Sequence, residues 1–208
     1  MRKRIDEIRR TELIEAAHRV FLQEGLRGLT TARICREAGM SPGILAYYFK
    51  GKDEVLYAMV RFNNRLLMED VIARMRRATT SWERLEAIVE GNFPDHSFTR
   101  NVAVAWLSVC AATNINRNYE RLQRLFYSRL VSNLASAFAG LLDKERLREA
   151  SISIAAVIDG LWLRKAVGHD ITRDQAIAVV LRNLAALLSA VELAALRRQS
   201  VRSHGGNM

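Results

Sequence analysis

The stretch Thr31–Lys52 constrains this chain more than any other, because its spacing fits two short helices meeting at a tight corner. Thr31 suits the cap of a first helix, and Ala32, Ile34, Cys35 and Ala38 supply a short apolar face. Gly39 falls where the turn needs positive φ, a conformation that strains any residue carrying Cβ. Ser41 suits the cap of a second helix, with Pro42 at its first position, where a missing N–H costs nothing. That helix, Pro42 to about Tyr48, carries small and aromatic residues, with Gly43, Ala46 and Tyr47 on a face the core does not need. Its outer face lacks carboxylates, and Lys50 and Lys52 follow it, as expected of a helix that reads the major groove. The expected DNA contacts are Thr31, Ser41, Pro42, Gly43, Ile44, Tyr47, Tyr48 and Lys52, the last as a phosphate anchor at a helix start.

Charge points the same way. The chain of 208 residues has a formal net charge of +10, which favours an anionic partner. Residues 1–52 hold 11 Lys/Arg against 6 Asp/Glu, whereas residues 53–208 hold 21 against 16. The basic excess is therefore about threefold denser where the corner motif sits, which is the asymmetry expected of a nucleic-acid-binding head.

The rest of the pattern is helical, with only two prolines and no alternating strand signal. Helices are expected near residues 81–90, 98–113, 118–142 and 144–167, and one long helix over 172–198. The expected layout is a three-helix DNA-binding domain at 1–52, a helical domain at 53–198 and a disordered tail at 199–208. No apolar run follows the basic N-terminus, and Asp159, Arg182 and Glu192 interrupt the longest apolar stretches. A secretory signal and a membrane span are therefore not expected, and Cys35 and Cys110 suit a reduced, cytoplasmic setting.

Catalysis finds little support. There is no G-x-S-x-G, no H-E-x-x-H and no phosphate-cradling glycine loop, and the four histidines are scattered, so neither a catalytic set nor a metal site nor a cofactor is expected. A small hydrolase remains a distant alternative, with Asp95-His96 its one pair of interest. A nonspecific nucleoid protein would explain the charge but not some 140 residues of apolar helices behind a small head.

Residues from Arg10 to about Tyr57 resemble the DNA-binding domain of the TetR family of bacterial transcriptional regulators. The likeness rests on an apolar helix ending near Gly25, then Leu29-Thr30-Thr31, Ala38-Gly39-Met40-Ser41, Gly43, Tyr48-Phe49 and Lys52-Asp53. Ala46 departs from it, since family members often carry tyrosine there. Further along, Gly91-Asn92-Phe93, Ala105-Trp106-Leu107 and Ile158-Asp159-Gly160-Leu161-Trp162-Leu163-Arg164 are similar to the BetI-type repressors of that family. Pro94-Asp95-His96 and the residues after Leu188 depart from that pattern.

The resemblance implies an all-α protein, its helix-turn-helix domain joined to a helical ligand-binding and dimerisation domain. It implies a homodimeric repressor on double-stranded operator DNA, released by a small effector. BetI-type repressors control genes that make glycine betaine from choline, so choline or betaine aldehyde is the expected effector; the alternative is unrelated genes and a different effector. Aromatic faces and diffuse negative charge would hold a quaternary ammonium ion. The candidates are Phe93, Trp106, Tyr119, Phe126, Tyr127 and Trp162, with Asp159 as the carboxylate. Each tryptophan could equally fill the core, and Asp159 could instead pair with Arg129 or Arg164. The apolar face of 172–198 fits either a buried helix or a dimer interface. Paired half-sites tip it to dimerisation, with Leu181, Leu184 and Leu188 in the interface.

Overall fold

The computed structural model describes residues 2–114 and 116–200. The chain is all-α, as the pattern predicts. Its helices are α1 (Arg2–Gly28), α2 (Thr31–Ala38), α3 (Pro42–Tyr48), α4 (Lys52–Arg77), α5 (Ser81–Gly91), α6 (Arg100–Ala111), α7 (Arg117–Ala137), α8 (Lys144–Ala166), α9 (Arg173–Ala186) and α10 (Ala190–Arg198). Among the described residues the only extended pairing is an isolated bridge between Thr80 and Ser200. No single helix among them is long and apolar enough to cross a membrane.

Side chains set most of the helix starts. At α5 the Thr80 hydroxyl accepts the Glu83 N–H at 3.1 Å while the Glu83 carboxylate accepts the Thr80 N–H. Thr172 with Gln175 repeats this reciprocal cap at α9, and Ser189 with Glu192 repeats it at α10. The last of these corrects the sequence-based expectation of one helix over 172–198. The chain breaks at Ser189 and bends by 118° between α9 and α10. Two satisfied N–H groups and a fresh helix start outweigh a continuous apolar periodicity there.

The chain forms two compact units. The first comprises, of the described residues, 2–66, 96–114, 116–123 and 165–169. Its core is built from Leu13, Ala17, Val20 and Phe21 of α1, Ile34 and Cys35 of α2, Leu45 of α3, Val55 and Met59 of α4, and Val102 and Ala103 of α6. Gly25 interrupts α1 with φ 67°, a left-handed turn that strains other residues. There the chain runs close beside α6, and the Asn101 side-chain amide donates to the Gln23 carbonyl at 3.4 Å.

The second unit comprises, of the described residues, 67–95, 124–164 and 170–200. Leu85, Ile88, Phe93, Leu134, Phe138, Ile154, Leu184 and Leu196 are enclosed within it, and fully burying each stabilises the fold by about 1.5–3 kcal/mol. Gln199 and Ser200, the first residues of the expected tail, lie against the start of α5, where the Ser81 N–H donates to the Gln199 carbonyl at 3.0 Å. Residues 201–208 of that tail lie outside the described residues.

Candidate DNA-reading head and effector cavity

The corner between α2 and α3 sits as the glycine predicts: Gly39 takes φ 64° and ψ 31°. Its N–H and that of Met40 bond back to the Arg36 and Cys35 carbonyls. The cap of α2 is Thr30 rather than Thr31, its hydroxyl accepting the Arg33 N–H at 3.3 Å. Thr31 is instead the first residue inside the helix and exposed. Ser41 stands at the cap position of α3, but its hydroxyl makes no cap bond. The Ser41 carbonyl takes the Ile44 N–H, leaving an exposed hydroxyl beside Pro42.

Only Leu45 of α3 is buried, and it anchors the helix. Pro42, Gly43, Ile44, Ala46 and Tyr47 are exposed, Ile44 by 39% and Tyr47 by 69%. A Cβ added to Gly43 would meet only the Ser41 Oγ, at 3.8 Å, so nothing within the chain demands glycine there. A partner approaching closely would. Tyr48 differs from its neighbours: half-buried, it donates its hydroxyl to the Asp6 carboxylate of α1 at 3.0 Å. Burial and then Asp6 push its phenol above the ordinary value. Lys52 opens α4 and is exposed. The Lys50 N–H just before it already donates to Glu54 at 2.8 Å, so Lys52 adds a charge rather than a free helix end.

A cavity of about 50 Å³ lies in the same compact unit. Its walls are Phe21 and Leu26 of α1, Leu56, Met59, Val60, Asn63 and Asn64 of α4, Val102, Ala105, Trp106 and Val109 of α6, and Leu122 and Gln123 of α7. None is charged. Of the expected effector residues, Trp106 is the one that lines it. Behind Asn63 stands His18 of α1, buried, with Nε2 at 3.1 Å from Asn63 Oδ1 and the ring edge-on to Phe62. Burial lowers its pKa, against a smaller opposing effect of the Asn63 bond. Sequence reasoning assigned no site role to His18, Asn63, Asn64 or Gln123. Two adjacent asparagines inside a long helix, where that residue is a poor helix former, were the one available signal.

The other expected effector residues are placed as follows. Tyr119, in the first unit, is buried edge-on to Tyr57, and burial raises its phenol pKa. In the second unit Phe93 is fully enclosed and stacked on Trp162, whose indole N–H donates to the Asn92 carbonyl at 3.2 Å. Phe126 is half-buried and Tyr127 exposed on α7. Asp159 keeps contact with solvent on α8, yet its surroundings desolvate the carboxylate enough to raise its pKa. Neither Arg129 nor Arg164 contributes to that shift. Of the residues expected in a dimer interface, Leu181 and Leu188 are half-buried. Leu184 is wholly enclosed in its own unit, because it faces that unit's core, and so cannot reach a second copy. On α8, by contrast, Ile152, Ala156, Asp159 and Leu163 are exposed at helical spacing.

Residues 13–59 match the family described as bacterial regulatory proteins of the tetR family. Residues 82–189 match the C-terminal domain of the BetI-type transcriptional repressors. The HTH-type transcriptional regulator BetI of Brucella suis is 37% identical over 177 residues, 85% of this chain and 89% of that protein. A solved transcriptional regulator from Saccharomonospora viridis, in complex with choline, shares the fold at TM-score 0.73 and 22% identity, covering 85% of this chain and 95% of its own. The regulator FadR from Bacillus subtilis, in complex with stearoyl-CoA, does so at TM-score 0.63 and 19% identity, covering 86% and 97%.

Proposed function

Starting from a chain that belongs to the TetR family, a family of regulators rather than enzymes, and that is a DNA-binding repressor of BetI-like type, we propose a homodimer released from its operator by a small quaternary ammonium effector. The genes controlled are those of the route from choline to glycine betaine. Each α3 enters a major groove, the two heads roughly 34 Å apart on one face of a palindromic site. Gly43, Ile44 and Tyr47 read bases, while Ser41 and Lys52 hold phosphates. The dimer forms through the exposed side of α8.

The observation that carries this reading is that one helix, α4, bears Lys52 at its start and five cavity residues within its next three turns or so. A cavity that holds a six-membered hydrocarbon ring measures on the order of 150 Å³. At about 50 Å³, this one must widen to admit choline, and α4 is the wall that also carries the head. A long acyl chain such as that of stearoyl-CoA suits it far less. Trp106 offers the cationic end a ring face, worth about 0.5–2 kcal/mol. An effector that binds only the widened state then disfavours the spacing that DNA needs, and by linkage DNA disfavours the effector.

The test is fluorescence anisotropy on an operator fragment with choline and betaine aldehyde added. Release of specific DNA that Trp106→Ala abolishes supports the proposal. No release at millimolar concentrations removes the choline route and leaves a repressor with another effector.

A further inference from the structure

His18 is a buried titratable residue that DNA reading does not use, and it touches the wall of the cavity. A neutral imidazole has one N–H, and the Asn63 amide has one oxygen and two amide hydrogens. With His18 Nε2 at 3.1 Å from Asn63 Oδ1, the ring donates and holds the amide oxygen on the His18 side. What Asn63 keeps for the cavity it lines is its N–H₂ group. Asn64 and Gln123 are the other amides of the wall, and Gln123, on α7, donates its own N–H₂ to Cys110 Sγ at 3.3 Å. No lining residue carries a charge, so a bare cation finds no counter-ion there, and burying an unpaired charge is costly.

On the reading of this cavity as the effector site, we propose that it selects a small zwitterion, or a cation bearing a carbonyl, over one without an oxygen acceptor. The trimethylammonium end lies against Trp106, and the ligand's oxygen accepts from the Asn63 amide that His18 orients. His18 acts as a positioning residue: it never meets the ligand but fixes which end of Asn63 does. A ligand of zero net charge also matches a wall without charge. Burial keeps the imidazole uncharged near neutrality, so the wall holds no competing cation.

Three probes with the same trimethylammonium head separate the terms: glycine betaine carries a carboxylate, choline a hydroxyl and tetramethylammonium no oxygen. Calorimetry on the full chain is expected to rank them in that order, with about tenfold between first and last. Asn63→Asp turns the donor into a negative acceptor and is expected to put both cations ahead of glycine betaine, choline first because its hydroxyl can donate to the carboxylate. His18→Phe frees the amide to turn and is expected to flatten it while tetramethylammonium binding persists. Thermal melts check folding of each variant, and Asn63→Ala, expected to flatten the order, replaces Asn63→Asp if that protein does not fold. Equal binding of all three probes, or a ranking that the Asn63 variants leave unchanged, overturns the polarity assignment alone. Binding of none of them overturns the effector reading and this inference with it.

Discussion

The Tyr48 hydroxyl donates to the Asp6 carboxylate at 3.0 Å, tying the end of α3 to the first turns of α1. That bond occupies the group which, by sequence, was expected on DNA. Tyr48→Phe is therefore expected to weaken binding to every operator variant by a few-fold without changing their ranking. Asp6→Asn should weaken it less, since an amide oxygen still accepts. Anisotropy titrations over a set of base-substituted operators check both; a changed ranking would return Tyr48 to the base-reading residues.

Lys52 and Tyr47 separate positioning from reading. Lys52→Ala is expected to lower affinity for all sequences alike and to reduce the salt slope by about one unit, as a lost phosphate contact does. Tyr47→Ala, at the exposed face of α3, should instead relax the preference at particular base pairs. An unchanged salt slope for Lys52→Ala would remove its phosphate role.

The two tryptophan candidates divide by packing. Trp162→Ala removes a ring stacked on Phe93 and a hydrogen bond to Asn92, so it is expected to cost about 3–5 kcal/mol in denaturant unfolding. Trp106→Ala, on a half-buried cavity wall, should cost less stability and more effector affinity. Similar stability losses in the two variants, with effector binding kept in both, would place the effector elsewhere.

Assembly is tested on α8. Ile152→Glu with Leu163→Glu, exposed by 47% and 41%, is expected to convert dimer to monomer with little change in unfolding midpoint. Leu184→Ala, wholly enclosed, is expected to lose about 2–5 kcal/mol of stability without that specific change. Light scattering that shows an intact dimer in the α8 variant moves the interface off that helix.

A pH dependence follows from the cap of α10. The Arg146 guanidinium, with the Ser189 N–H and hydroxyl, lowers the Glu192 carboxyl from 4.5 to about 2. Because the folded value lies below the unfolded one, the stabilisation is complete above about 4.5 and fades as pH falls toward 2. Glu192→Gln should lower the melting temperature near neutrality, and the gap from the wild-type chain should close over that window. A gap that stays constant with pH would mean that packing, not charge, holds the helix.

Much of the head could be read from local chemistry. Gly39, Pro42 and the absence of carboxylates on α3 act within a few residues, so sequence carries them directly. The cap shifted by one, from Thr31 to Thr30, because two adjacent threonines offer the same hydroxyl and only backbone geometry chooses between them. The break at Ser189 had a visible signal, serine followed three residues on by glutamate, which the apolar run masked. For the cavity the adjacent Asn63 and Asn64 were the one local signal, and nothing in sequence brought the rest together. Phe21, Asn63, Trp106 and Gln123 come from four helices, and their convergence depends on packing between distant segments. Leu184 and the α8 stripe show the same limit: an apolar face names a side to bury, not what buries it.

Asn63 stands eleven residues from Lys52 along α4, a rod about 16 Å long at 1.5 Å per residue. Such a rod turns angle into travel. A tilt of about 10° at the cavity end carries the Lys52 end through roughly 3 Å, close to the reach of one hydrogen bond. Sensitivity is then set by where along the rod the pivot lies, and a bulkier residue at Ala58, buried on α4 but outside the cavity wall, would shorten the stroke without touching either site. Repressors of graded responsiveness could be made from this chain by moving that fulcrum alone.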